Sequence, residues 1–347
     1  MTQRDTPMSA LSAADAASMD APSMTVAAPS SPSSPTQPAP KRWARLGWVL
    51  RVAVPVVMLL LFWYFLDGPG VVARLARANP YWLLAAAVAT NVQIVLLAKR
   101  WQLTAAQLGQ SLTTGAAIAE YYLAQLLNQV LPGGMIGDAG RAIRARHSAD
   151  LLRASQAVVA ERMAGQAALF TVMFSAFGIA FVLPGGVAWP WVIEKSALLL
   201  AGGLILMAGI WIWCRAMIRT RLPWLSNFAE AIRLGLLSPR VWPRQVVLGV
   251  VIVACNLASF AFCALATGTD LSLEAILTLG PLIMTAMILP LSIGGWGVRE
   301  GAAALVFPLV GALPEAGVAA SVAFGVVLLV SSLPGVLWLT KSAHPAA

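Results

Sequence analysis

The sequence predicts an all-α polytopic membrane protein, with about six full spans and two re-entrant broken-helix units in an inverted repeat. Composition is the first of three observations behind this: 59% of the residues are hydrophobic and only 11% charged, with mean hydropathy +0.79, outside the range of a soluble globular domain. The second is a series of apolar runs near the length of a membrane span. The third is a pair of glycine-rich breaks, each opening on Leu-Pro and each followed by an arginine. One reads Leu131-Pro132-Gly133-Gly134-Met135-Ile136-Gly137-Asp138-Ala139-Gly140-Arg141, the other Leu289-Pro290-Leu291-Ser292-Ile293-Gly294-Gly295-Trp296-Gly297-Val298-Arg299-Glu300. A broken helix frees backbone groups that find no water in hydrocarbon, so it survives only inside protein or beside a wet cavity. Related breaks in two halves of one chain are the sequence sign of a repeat-built transporter.

Taken in order, residues 1–40 are rich in Ser, Ala and Pro and carry no aromatic residue. Such a segment buries too little to offset its ordering entropy and reads as a disordered cytoplasmic tail. The basic group Lys41, Arg42, Arg45 and Arg51 comes too late for a secretory signal, and no small-residue cleavage site follows the apolar run. Residues 41–341 read as the membrane domain and 342–347 as a short second tail. Spans are expected at 46–66, 81–98, 158–183, 197–213, 246–267 and 321–340, at about 20 residues each. Shorter apolar stretches at 116–130 and 275–289 run into the two breaks, and 302–310 is too short to cross.

Lys and Arg placement sets the orientation. If both broken units return to the side they entered, the inner side holds seventeen basic residues, among them Lys99, Arg100, Arg141, Arg144, Arg153, Arg233 and Lys341, and the outer side only Arg74, Arg77 and Lys195. The positive-inside rule then places both termini in the cytoplasm. The unit 81–98, first break, 158–183 is repeated upside down by 246–267, second break, 321–340, which puts a substrate site where the breaks meet. Most tryptophans, Trp101 among them, fall near expected interfaces. Residues 226–241 read as a cytoplasmic interfacial helix. His147 reads as solvated.

Other classes are disfavoured. The basic residues cluster beside apolar runs, which fits topology and anionic headgroups better than nucleic acid. Cys255 and Cys263 lie eight residues apart on one expected helix, about 12 Å of rise, too far to bridge. Neither a metal site nor a cofactor is expected. No phosphate-binding Gly-x-x-x-x-Gly-Lys-Ser/Thr loop and no Ser–His–Asp set is visible.

The phrases Asn128-Gln129-Val130-Leu131-Pro132-Gly133-Gly134, Gly137-Asp138-x-x-Arg141, Glu161-Arg162 and Ser292-x-Gly294-Gly295-x-Gly297-x-Arg299-Glu300-Gly301 resemble the lysylphosphatidylglycerol synthase transmembrane region, a family also called flippase-like. The resemblance covers about residues 45–340. It implies the lipid-translocating part of those proteins without the aminoacyl-transfer domain that the best-known relatives carry, and a separate lipid synthase as a partner. Asp138, Arg141, Glu161, Arg162, Arg299 and Glu300 match its motifs.

An arginine fork fits a phosphate bidentately, and glycine-rich turns leading into helix N-termini expose donors to anions. On this reading Asn128, Pro132, Gly133, Gly134, Gly137, Asp138, Arg141, Glu161, Arg162, Ser292, Gly294, Gly295, Trp296, Gly297, Arg299 and Glu300 form a headgroup site. The alternative for Glu161, Arg162, Arg299 and Glu300 is a set of internal ion pairs that fasten the broken helices. Trp296 either lines the headgroup path or fills space between helices. Asp138 or Glu120 could carry protons.

The expected function is a bacterial inner-membrane lipid translocase moving a phosphate-bearing lipid, either a phospholipid or a polyprenyl-phosphate type. The alternatives are a membrane transferase acting on a lipid phosphate or diphosphate, and a non-transporting partner subunit of envelope assembly.

Overall fold

The computed structural model describes residues 67–131, 134–145, 150–182, 223–288 and 292–341, with four isolated positions between residues 53 and 64. The expected span 197–213, all but those four positions of the expected span 46–66, both tails, Pro132, Gly133, His147 and Cys214 lie outside the described residues. Every regular element among the described residues is helical. In chain order they are α1 (Gly68–Ala76), α2 (Pro80–Gln107), α3 (Thr114–Val130), α4 (Ile136–Ala145), α5 (Leu151–Val182), α6 (Pro223–Gly235), α7 (Trp242–Ala266), α8 (Leu273–Ala286), α9 (Val298–Val306), α10 (Pro314–Ser332) and α11 (Val336–Lys341). Single 3-10 turns at Phe307–Val310 and Leu333–Gly335 flank α10. The segments Pro80–Gln107, Leu151–Ile179, Trp242–Ala266 and Pro314–Trp338 are long and apolar enough to cross a membrane. At 1.5 Å of rise per residue, α4 and α9 reach only about 15 Å, half a hydrocarbon core.

Local sequence sets where these helices start. Asn79 accepts from the Tyr81 amide ahead of α2. Thr113 accepts from Ala116 ahead of α3, and Ser272 from Ala275 ahead of α8. Each satisfies one of the orphan donors that every helix N-terminus leaves.

Packing relates α2–α3–α4–α5 to α7–α8–α9–α10. The contact of α2 with α7 joins the two leading helices. Among these eight helices every other packed pair has its counterpart: α2·α3 with α7·α8, α3·α4 with α8·α9, α4·α5 with α9·α10, α2·α5 with α7·α10, α5·α8 with α3·α10, and α5·α7 with α2·α10. The leading helices run antiparallel. Asn79 donates its backbone N–H to Ala266 O at one end, Thr90 Oγ1 and Ser259 Oγ pair at 2.8 Å near the middle, and Gln245 Nε2 donates to Thr104 Oγ1 at the other. Antiparallel equivalents are what an inverted repeat requires.

Two close approaches hold the short helices. A Cβ on Gly137 would collide with the Ala124 carbonyl, where α4 folds back along α3, and one on Gly317 would meet Ala303 O at 2.6 Å and the Phe307 ring at 2.8 Å. Behind them Phe260 stacks edge-on against Phe307 and Phe324, with centroids 6.3 and 5.7 Å away.

Two expectations need correction. The second span does not stop at Ala98: α2 continues to Gln107, because Arg100 and Thr104 find partners inside the protein. Arg100 and Arg141, counted as topogenic charges on the inner face, are both buried, and so is Trp101, read as an interface residue. Lys99, by contrast, is exposed.

The close approaches generate a stability prediction. Gly137→Ala and Gly317→Ala should each lower unfolding stability in detergent by about 1–3 kcal/mol through overpacking. Gly178→Ala, where nothing lies within 4 Å, should leave it unchanged or raised. Equal thermal midpoints for all three would remove the packing argument.

Candidate functional site

The site is built where the two breaks meet. A Cβ on Gly294 in the second break would lie 3.0 Å from the Gln129 carbonyl, just ahead of the first. Gly134, Gly294, Gly295 and Gly297 all have positive φ, at +61°, +56°, +82° and +84°. Such angles are rarely open to other residues. Gly134 faces open space, whereas Gly295 lies against Met287.

Each break hands its freed backbone to a side chain. Asn128 Oδ1 accepts from the Gly137 amide at 2.8 Å, while Asn128 Nδ2 donates to Asp138 Oδ2. In the second break the Glu300 carboxylate reaches back to the amide of Gly297, which is half of a capping box.

The charges then form two clusters. In the first, Glu161 Oε1 accepts from Arg100 at 2.7 Å and Glu161 Oε2 from Arg141 at 2.9 Å. Arg141 also pairs with Asp138 at 2.9 Å, and Asp138 with Arg162. Tyr121 donates to Glu161. In the second, Arg299 Nη2 meets Glu300 Oε1 at 2.6 Å, and Ser321 Oγ bridges the same pair. Arg141 lies 4.9 Å from the Trp101 ring centroid and 4.4 Å from that of Tyr121. Arg299 lies 5.2 Å from Trp296 and 5.5 Å from Phe324. Each half therefore has one arginine on its short helix, tied to carboxylate and covered by two aromatic faces.

Arg141, Glu161, Arg299 and Glu300 are completely buried and turned toward one another. Arg162 differs: its side chain is 37% exposed, and it lines both cavities that run between the halves. One cavity, of about 200 Å³, is walled by α2, α3, α5, α7, α8 and α10, with Gln93, Gln125, Gln166 and Asn256 as its neutral amides. The other, of about 330 Å³, carries Asn128, Gln129, Gly134, Ser292, Gly294 and Gly295 from the breaks. Gln125, Arg162, Gln166, Met284 and Met287 line both, so the two adjoin along a shared wall of polar and apolar side chains and together make a passage between the halves. Trp296 packs on Arg299, and a Cβ on Gly325 would meet its ring at 2.8 Å. That is the space-filling alternative for this residue. Glu120 is paired with Arg144 at 2.6 Å.

Sequence reasoning missed the carboxamides and the second role of Arg100. Gln93, Gln125, Gln129, Gln166 and Asn256 each interrupt an apolar helix. A polar residue at membrane depth was itself the available signal.

Paired helix–break–helix units around an internal passage define a multi-pass α-helical membrane protein of the repeat-built type. The chain belongs to the family described as Lysylphosphatidylglycerol synthase TM region, whose model matches residues 48–335. That membership points to a membrane-lipid function. No curated protein sequence matches the chain.

Glu161 holds Arg100 and Arg141 at once. Glu161→Gln should therefore destabilise the protein by about 3–5 kcal/mol, as removal of one partner from a buried pair does. Glu230→Gln should change nothing measurable, because its partner Arg233 is solvent-exposed and surface pairs contribute little. Indistinguishable unfolding curves for the two variants would show the cluster to be dispensable.

Proposed function

We propose that this protein is a lipid translocase of the bacterial inner membrane, moving a phosphate-bearing lipid between leaflets without altering it chemically. The observation that carries the proposal is the passage between the two breaks, with the half-exposed guanidinium of Arg162 shared by both its parts. A guanidinium in a cavity at membrane depth is a natural phosphate contact, while the apolar outer faces of the helices leave room for acyl chains beside it. On this reading the α3–α4 and α8–α9 units dip into the bilayer from opposite sides and both termini are cytoplasmic. The basic residues of the sequence that remain after Arg100 and Arg141 are set aside still favour that orientation.

A transferase would need a carboxylate free to act as base. Asp138 is tied to Arg141, Arg162 and Asn128, and Glu300 to Arg299, Ser321 and the Gly297 amide. This favours translocation over chemistry.

The test is the purified chain in liposomes with labelled phospholipids or polyprenyl phosphates. Exposure of label on the opposite leaflet is expected; a chemically altered lipid would establish the transferase, and neither result would leave a partner subunit. Arg162→Ala should reduce translocation by about tenfold or more, the loss of one charge-assisted contact, with membrane insertion intact. Orientation is checked separately in intact cells. A single cysteine at Asp67 should label from the periplasm and one at Arg233 should not; the reverse pattern overturns the inverted arrangement.

A further inference from the structure

The strong bonds of this molecule stay within one half or the other. In the first half Arg100 of α2, Tyr121 of α3 and Arg141 of α4 all close on Glu161 of α5, and Asp138 of α4 pairs with Arg162 of α5. Tyr122 of α3 also donates to Asn91 of α2 at 2.7 Å. In the second half Arg299 of α9 donates to Ser321 of α10 at 2.9 Å. Phe260 of α7 packs on Phe324 of α10, and a Cβ on Gly280 of α8 would meet Leu257 of α7 at 2.7 Å. Charge-assisted bonds held away from water are the strongest polar contacts available here, and they tie each half into one body.

Between the two bodies the polar bonds follow a single line. Among the described residues the hydrogen bonds that join the halves all lie on the α2–α7 pair. Asn79 meets Ala266 at 2.9 Å, Thr90 meets Ser259 at 2.8 Å, Ser259 donates on to Ala86 O at 3.0 Å, and Gln245 meets Thr104 at 2.9 Å. Elsewhere the halves touch through small or apolar groups. Gly249 of α7 would place a Cβ 3.2 Å from that of Ala168 of α5, Gly294 lies against Gln129, and Gly335, after α10, lies against the Tyr122 backbone of α3. Met284 and Met287 of α8, side chains that adapt readily, border both cavities together with Gln166 of α5. Parting an apolar contact in a bilayer costs little, because lipid tails are as apolar as the side chain that left. Parting a hydrogen bond there leaves groups that no water can meet.

We infer that the halves are two rigid bodies hinged along α2–α7, and that they swing about this seam as about the spine of a book. The seam forms one wall of the passage, through Gln93 and Leu97 of α2 and Ile252 and Asn256 of α7. The cavity beside the breaks has no residue from either helix. The swing therefore parts α3 and α5 from α8 and α10 and opens the passage on the side of the breaks. The use of this motion rests on the translocase reading; its existence does not.

The experiment measures distances by pulsed electron spin resonance on the full chain in phosphatidylethanolamine–phosphatidylglycerol liposomes, with the three cysteines replaced by alanine. Spin labels go on Val88 of α2, Ile143 of α4, Val250 of α7 and Leu305 of α9, all exposed. The pairs 88–143 and 250–305 lie within one body and 88–250 spans the seam, so each should give one narrow distance. The pair 143–305 spans the halves away from the seam, and its distribution should be split in two or about twice as broad. A distribution at 143–305 as narrow as the others, or equal breadth in all four pairs, overturns the hinge. Disulfides then test its use. Oxidised Thr90→Cys/Ser259→Cys, bridged on the seam, should translocate within about twofold of its reduced form, whereas oxidised Ala168→Cys/Gly249→Cys, bridged off it, should lose about tenfold or more and recover on reduction. Full translocation by the second bridged chain sinks the hinge and leaves the translocase. A split distance at 143–305 in a chain that moves no lipid even when reduced leaves the hinge and sinks the translocase.

Discussion

A backbone broken inside hydrocarbon must have its freed N–H groups met by protein, and the interior of this molecule follows from that requirement. At the first break the receiving group is the Asn128 carboxamide; at the second it is the Glu300 carboxylate. A carboxylate there cannot stay unpaired, so Arg299 closes on it, and Ser321 from α10 joins the pair. In the first half Asn128 binds Asp138, Asp138 binds Arg141, and Arg141 binds Glu161 of α5. In both halves the chain of partners leads from the break to the long helix that follows. The short helices α4 and α9 are thus fastened both by polar bonds and by close glycine contacts, at Gly137 and Gly317.

Much of this was legible from residue types and spacing. Leu-Pro and clustered glycine mark the breaks because proline removes a donor and glycine opens positive φ; the structure has Gly134, Gly294, Gly295 and Gly297 there. The pairing of the two halves followed from the repeated order of runs and breaks. Arg100 and Trp101 were misread because a Lys-Arg-Trp sequence at the end of an apolar run has the same composition at an interface as at a buried junction. Only the partner separates the two cases, and Glu161 lies sixty-one residues away in the chain. The carboxamides were missed for a related reason: each is a lone polar residue in its own apolar helix, and only the fold brings several of them to one space.

The two halves share a frame and differ in charge. Each has a buried arginine under two aromatic rings, but the second cluster closes as one arginine with one glutamate, while the first takes in Arg100 from α2 and Arg162 from α5. Pseudo-symmetry thus sets where the passage lies, and the departure from it sets the field inside. A fully symmetric pair of neutral clusters would leave no net charge beside the cavities.

That division assigns different work to neighbouring residues. Glu161 and Arg162 are consecutive, yet one turns into the protein and the other toward the passage. On a helix consecutive side chains point about 100° apart, so adjacent positions fall on different faces. The buried member fixes α5 against α2 and α4, and the half-exposed member is held in place by Asp138 without being covered. A guanidinium tethered through one nitrogen and partly exposed is pre-organised, since little side-chain freedom remains to be lost on any contact it makes. The motif Glu-Arg therefore joins the support of the broken helix to the chemistry of the cavity within two residues. A change at Asp138 should be felt in both, because it is the only carboxylate among the described residues that pairs with Arg162.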